Sequence, residues 1–177
     1  LDATRKGFSA EMTLKMNDMW TAKLGLAEYH AELVNQLLPL MAHSAVDYNM
    51  FFRELSTIPE QMADLTQCFY QPLSTDQQTS WEQWLQRWRT EANASDNAIQ
   101  LSQKMKAVNP KFTWREWLVV PAYQQAANGD YTLIKELQTV LNNPFEEQSK
   151  EIEDKYYRLR PDQFAGMGGV AHYSCSS

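Results

Sequence analysis

Apolar residues recur along the chain at intervals of three and four, the period of one face of an α-helix. Residues 29–41 and 81–88 show this pattern most clearly. Weaker stripes occupy residues 8–20, 48–55, 62–69 and 133–141. Polar–apolar alternation typical of strands is nearly absent, and residues 112–120 form the only ambiguous stretch. The pattern predicts an all-α fold, an irregular bundle of about seven or eight helices with a glycine-containing C-terminal tail.

Turn and capping signals mark the ends of these helices. Asn128-Gly129-Asp130 lies between two stripes, so Gly129 can close one helix in the left-handed conformation while Asp130 caps the next. Pro121 lies inside the preceding stripe and predicts that this helix is kinked or begins there. A hydroxyl three residues before an acid or amide is the spacing of a capping box, and some of its occurrences are expected to be real caps. These occurrences begin at Ser44, Thr57, Ser74 and Thr113.

The length of 177 residues favours a single domain. The character of the chain changes after Arg160, so we expect a helical region over residues 1–160 and a flexible or docked tail over residues 161–177. Glycines interrupt this tail, and residues 169–175 could span roughly 20 Å if extended. The chain begins with Leu1 rather than Met, which is typical of a fragment or a processed product.

Composition narrows the class of protein. Hydrophobic residues at 44% and charged residues at 21% are near globular averages, which argues against a disordered chain. A net charge of −6 disfavours a binder of nucleic-acid backbones. No apolar run approaches the ~18–20 residues of a membrane span, and residues 1–10 lack the apolar core of a signal peptide. We therefore expect a soluble, acidic protein with no nucleic-acid and no membrane partner.

Phosphate- and metal-binding signals are weak. The glycine-rich residues 166–169 are followed neither by Lys-Ser/Thr nor by a helix, and the set of kinase signatures is not recognisable. Glu28, His30 and Glu32 point to different sides of a helix, and no HExxH motif occurs. His43 and Asp47 share a helix face, but two ligands do not make a site. We therefore expect no catalytic, cofactor or metal residues in this chain.

The two cysteines have different surroundings. Cys68 follows Leu65 by three residues and is predicted to be an inert buried thiol. Cys175 lies on the tail, where either thiol–disulfide chemistry or an incidental surface role fits. His172 and Ser174 are its neighbours, but no third residue can be named to orient a catalytic triad. So few cysteines favour a reducing compartment such as the cytoplasm.

A cluster of tryptophans and a run of acids complete the candidates. A tryptophan stripe at helical spacing most often forms core, and its alternative is a docking face for a partner helix or domain. The tryptophans are Trp81, Trp84, Trp88, Trp114 and Trp117. Acidic residues between 146 and 154 are most simply a solvated helix face.

Several segments together resemble a known family. The C-terminal Ser174-Cys175-Ser176-Ser177 is similar to the end of the selenoprotein O family, which includes bacterial YdiU and carries either cysteine or selenocysteine there. Other matches follow in the family's order over essentially the whole chain. They are residues 22–26 with Lys23-Leu24-Gly25, residues 37–41, residues 47–53, Met105, Val108-Asn109-Pro110, Arg115-x-Trp117, Ala126, Asn128-Gly129-Asp130 and residues 142–145. Trp114, Glu116 and residues 119–121 depart from the family pattern.

The resemblance implies a kinase-like (pseudokinase) fold that transfers AMP from ATP to protein hydroxyl groups with Mg²⁺. Nucleotide- and metal-binding residues lie upstream in that family. This chain would then be the C-terminal helical portion, inactive alone, with the upstream kinase-like domain and the protein substrates as partners. The family also carries a disulfide between its C-terminal cysteine, here Cys175, and an activation-loop cysteine that this chain lacks, so that reduction would release the activation segment. A bond from Cys175 to Cys68 stays an alternative.

Three hypotheses follow. The first is a helical part that supports and redox-regulates a catalytic domain located upstream. The second is a helical protein–protein interaction module without catalysis, which exposure of Trp81 or Trp84 would favour. The third is a free-standing thiol oxidoreductase that uses Cys175. A piece of a larger protein should also expose an apolar face.

Overall fold

The computed structural model describes residues 2–164, with side chains from residue 7 onward. Eight α-helices and two 3₁₀ helices make up this part, and its only β feature is an isolated bridge between Val46 and Phe69. The predicted all-α fold is therefore confirmed. The helices are α1 (Asp2–Leu24), α2 (Ala31–His43), α3 (Tyr48–Leu55), α4 (Thr75–Glu91), α5 (Ala98–Lys106), α6 (Glu116–Ala127), α7 (Thr132–Leu141), α8 (Lys150–Tyr156) and the 3₁₀ helices Met62–Cys68 and Asp162–Phe164.

The chain divides between Asn109 and Pro110 into two compact units, a division that its length alone did not predict. The first unit contains α1 to α5, and the second contains α6 to α8. The expected boundary between residues 160 and 161 stays a prediction, because residues 165–177 lie outside the described part.

Tryptophans of α4 form the centre of the first unit. Trp81, Trp84 and Trp88 are all buried, and the rings of Trp84 and Trp88 stack with centroids 6.5 Å apart. Buried indoles need a partner for their N–H group. Each Nε1 donates to a different residue of an earlier segment: Trp81 to Ser44 Oγ (2.9 Å), Trp84 to the Leu33 carbonyl (3.0 Å) and Trp88 to the Leu24 carbonyl (2.9 Å). The core interpretation of this stripe is confirmed.

The start of α4 follows the capping-box prediction. Ser74 Oγ accepts from the Gln77 backbone at 3.3 Å, and Gln77 Oε1 accepts from the Ser74 backbone at 2.9 Å. The other three occurrences are not caps, in keeping with the expectation that only some would be, because Asp47 precedes α3, Gln61 precedes the 3₁₀ helix Met62–Cys68 and Arg115 precedes α6. The side chains concerned are those of Ser44, Thr57 and Thr113.

In the second unit, α6 and α7 meet at the predicted corner. Gly129 has a φ of 84°, and Asp130 Oδ1 accepts from the Thr132 backbone at 2.9 Å. Pro121 lies inside α6, so the alternative that the helix begins there is wrong. The corner brings the apolar faces of both helices together around a small core of Phe112, Ala122, Leu137, Val140 and Tyr156.

Among the side chains that the structure describes in the longest helix, α1, only Trp20 and Leu24, near its C-terminal end, are buried. Between residues 7 and 16 every side chain is exposed. Neither α1 nor any other helix of residues 2–164 combines the length and apolarity required to cross a membrane.

Candidate functional site

Segments that carry the family resemblance converge in the first unit. The end of α1, the end of α3 and the turn after α5 meet at a cluster of polar side chains that we call the polar hub. It consists of Lys23, Arg53, Ser56 and Asn109. Arg53, Ser56 and Asn109 are buried, and Lys23 is partly buried.

Asn109 forms the centre of the hub, and its side chain is fully buried. Its Nδ2 donates to the Lys23 carbonyl at 2.9 Å and to Ser56 Oγ at 3.0 Å. Its Oδ1 accepts from Lys23 Nζ at 3.0 Å. Both amide N–H groups are therefore used, and one side chain joins the last turn of α1 to the end of α3.

Arg53 joins the hub to α5. Its Nη1 donates to the carbonyls of Lys106 and Asn109 at 3.2 and 3.1 Å. Lys106 is the last residue of α5, where carbonyl groups lack helical partners and a cation is favourable. The guanidinium therefore closes one helix and holds the backbone of the hub's central residue.

The Lys23 ammonium lies beneath two aromatic rings, 4.5 Å from the centroid of Phe52 and 5.2 Å from that of Tyr48. Burial lowers the pKa of Lys23, and burial also raises the pKa of Tyr48. A lysine with a lowered pKa can act as a base or a nucleophile. Here its Nζ donates to Asn109, so we assign it a structural role.

Gly25 explains the last position of the Lys23-Leu24-Gly25 segment. Its φ is 66°, a left-handed conformation that L side chains rarely adopt. A Cβ atom there would lie 2.4 Å from Leu101 Cδ1 and 2.9 Å from Met105 Cγ on α5. The glycine therefore permits both the turn after α1 and the close approach of α5.

Lys111 forms a second polar cluster, within the second unit, that sequence reasoning missed. Its side chain is buried and pairs with Glu147 and, at 2.6 Å, with Glu153 Oε1. The ammonium also lies 5.1 Å from the centroid of the Tyr157 ring. Both carboxylates belong to the acidic run, which is therefore only partly the solvated face that was expected.

The weak metal candidates have other partners. His30 caps α2 by accepting from the Leu33 backbone at 3.2 Å. Glu32 pairs with Arg87 at 2.6 Å, and Asp47 accepts from the Met50 backbone and from Tyr70. Among residues 2–164, no group of three or more histidine, cysteine or acidic side chains is placed to hold a metal ion.

Of the two cysteines, the structure describes only Cys68. Cys68 is buried, as predicted, and burial followed by the charges of Glu54 and Asp47 raises its pKa. The inertness of this thiol stays a prediction. Cys175 lies outside the described residues, as do His172 and Ser174. The redox role of Cys175 therefore stays a prediction.

A pocket of about 330 Å³ lies between α6 and α7. It is lined mainly by apolar and aromatic side chains, including those of Trp114, Val119, Tyr123 and Ile134. None of its lining residues is charged, so it offers no cation for a phosphate chain and no carboxylate for Mg²⁺. The pocket does not fit a nucleotide–metal complex.

Exposure of the tryptophans separates two of the hypotheses. Trp81 and Trp84 are buried, so the observation that would have favoured an interaction module through this stripe is contradicted. Trp117 is buried as well, and Trp114 is exposed at the rim of the pocket.

The described residues thus form a helical region. The segments that carry the family resemblance join its helices to one another. The family model for protein adenylyltransferase SelO matches residues 1–142. The chain belongs to this family, which confirms the resemblance.

Relatives in several bacteria carry the name protein nucleotidyltransferase YdiU. The protein of Tolumonas auensis is 32% identical over 96% of this chain and 34% of its own length. That of Thioalkalivibrio sulfidiphilus is 38% identical over 81% of this chain and 30% of its own length. That of Pseudomonas aeruginosa is 36% identical over 90% of this chain and 32% of its own length. This chain therefore spans about a third of the length of the relatives it matches.

Proposed function

We propose that this chain is the C-terminal helical part of a protein adenylyltransferase. The whole polypeptide would transfer AMP from ATP, with Mg²⁺, to serine, threonine or tyrosine hydroxyls of other proteins. The nucleotidyltransferase class is supported by the family match and by the names of the relatives. The ATP and Mg²⁺ sites are assigned to the remainder of the polypeptide, a kinase-like domain with which this chain would pack. The bacterial cytoplasm is the expected compartment.

The polar hub is the observation that supports a structural role for this chain and a catalytic role for the remainder of the polypeptide. The matched segments around Lys23, Arg53 and Asn109 use their polar atoms to join α1, α3 and α5 to one another. Residues that act on a substrate would instead have to present such atoms to it. The described part of the chain is therefore best understood as a support for chemistry that takes place elsewhere.

The regulatory part of the proposal concerns Cys175. A disulfide from this thiol to a cysteine of the activation segment would restrain that segment. A dithiol reductant would break the S–S bond, restore both thiols and itself become a disulfide, and the segment would be released. This step is carried by the resemblance, since the tail lies outside the described residues.

Transfer of labelled AMP tests the proposal. The longer polypeptide and the 177-residue chain are each incubated with Mg²⁺, ATP labelled at the α-phosphate and acceptor proteins. The acceptor proteins should become labelled only when the longer polypeptide is present. Transfer of AMP by the 177-residue chain alone would overturn the assignment of catalysis to the remainder of the polypeptide.

The redox part has its own test. Dithiothreitol should change the transfer rate of the longer polypeptide. A Cys175→Ser variant cannot form the disulfide, so with and without dithiothreitol it should transfer AMP at the rate of the dithiothreitol-treated parent. A variant that still responds to reductant would overturn the role of Cys175.

A further inference from the structure

The exposed part of α1 carries an apolar stripe. It consists of Phe8, Met12, Met16 and Met19, whose exposed fractions are 66%, 46%, 50% and 39%. At ~100° per residue, these spacings place all four side chains within about 80° of one another around the helix. The stripe is therefore one continuous surface, whereas the exposed Leu14 lies on the opposite side of α1.

The stripe continues a face that is already buried. Trp20 follows directly on the same side of α1, is buried, and has its ring centroid 5.9 Å from that of Phe52. The face thus begins in the core of the first unit and runs out into solvent toward the N-terminus of the helix. Helices that lack packing are marginal in water, and continuous apolar surfaces of this kind mark interaction sites.

The apolar area of the stripe limits which partner can cover it. Half-exposed side chains of this size offer about 100 Å² each, so the stripe supplies roughly 400 Å². A standard interface between separate proteins needs about 800 Å² from each partner. A second copy of the chain would therefore gain too little from the stripe alone. A segment of the same polypeptide is held at high effective concentration and needs no such area.

We infer that the α1 stripe is the surface on which the remainder of a longer adenylyltransferase polypeptide packs. This inference rests on the proposed function, because this chain spans only about a third of the length of its relatives. The occupant is an uncharged, apolar surface, since the stripe offers one aromatic ring and three flexible thioethers that adapt to irregular apolar partners.

Cysteine labelling tests the inference in the intact longer polypeptide. Met12→Cys and Leu14→Cys are made separately in a Cys175→Ser background, and alkylation rates are measured by mass spectrometry. Residues 7–15 form one tryptic peptide, bounded by Lys6 and Lys15, so the same peptide reports both positions. The 177-residue chain with the same substitutions is the reference. Amide hydrogen exchange of α1 in the unsubstituted proteins is a second measurement.

Alkylation at position 12 should be at least about tenfold slower in the longer polypeptide than in the reference chain, with less than about a twofold change at position 14. Exchange along α1 should slow in parallel. Equal rates at position 12 in both proteins would overturn the inference. Protection in the 177-residue chain that rises with concentration would overturn it in favour of a second copy.

Labelling does not depend on AMP transfer, so the two proposals fail separately. Transfer without protection at position 12 removes only the docking surface. Protection without transfer removes only the assigned activity.

Discussion

Removal of the Asn109 side chain is the sharpest test of the polar hub. Asn109→Ala deletes three hydrogen bonds, of 2.9, 3.0 and 3.0 Å. It leaves the Lys23 carbonyl and the Ser56 hydroxyl without this partner inside the first unit. Water cannot readily replace the amide, because Asn109 is fully buried and Ser56 is buried too.

The expected loss follows from the number of bonds. A buried hydrogen bond contributes about 1 kcal/mol net, so three bonds amount to about 3 kcal/mol. Small domains have a free energy of unfolding of about 5–15 kcal/mol, so this loss is a large fraction of the total. For a chain of this size, 1 kcal/mol corresponds to about 2–4 °C, and the melting temperature should fall by about 6–12 °C.

Urea unfolding followed by tryptophan fluorescence measures the change, with thermal unfolding by circular dichroism as a second probe. Asn128→Ala is the matched control, because its exposed amide donates only to the Gln124 carbonyl within α6. The control should stay within about 0.5 kcal/mol of the parent protein. If Asn109→Ala costs no more than the control, the hub does not hold the first unit together and the reasoning fails.

Further predictions concern Gly25, the cap of α4 and the buried thiol. Gly25→Ala should destabilise the protein by about 2 kcal/mol, because residue 25 has a left-handed backbone and an added Cβ would contact α5. Gly7→Ala should stabilise it by about 0.5–1 kcal/mol, because nothing lies within 4 Å of an added Cβ in α1. Urea midpoints that move in the same direction for both variants would contradict this. Ser74→Ala should lower the free energy of unfolding by about 1 kcal/mol in the same assay, and no loss would argue against the capping box. Native Cys68 should resist alkylation until urea unfolds the chain. Since burial raises its pKa, its contribution to stability is present below the unfolded pKa of about 8.5 and is lost as the pH rises above it. Urea midpoints measured from pH 7 to 10 should therefore fall less in Cys68→Ala, and an unchanged slope would refute the assignment.

Local sequence signals predicted the features that depend on neighbours along the chain. The capping box at Ser74 and the corner at Gly129 involve partners within one helix or turn, and the apolar period of α4 is contained in a single helix. Periodicity also located the stripe of α1, but not its exposure. Burial depends on what packs against a helix, and periodicity carries no information about that partner.

The polar clusters could not be predicted in this way. Asn109 bonds to Lys23 across 86 positions of the chain, and Lys111 pairs with Glu147 across 36. No local pattern links such residues. The resemblance did single out Lys23 and Asn109, yet only the structure reveals that they touch and that their role in this unit is structural.

The three indole bonds of α4 also limit how this part of the chain can change in length. Trp81, Trp84 and Trp88 reach acceptors at the C-cap of α2, within α2 and at the end of α1, so their angular order around the helix must be kept. One inserted or deleted residue between positions 81 and 88 would rotate part of the helix by about 100° and misalign donors with acceptors. Length variation among natural homologues should therefore fall in the stretch of residues 70–73 before α4 and spare the helix itself.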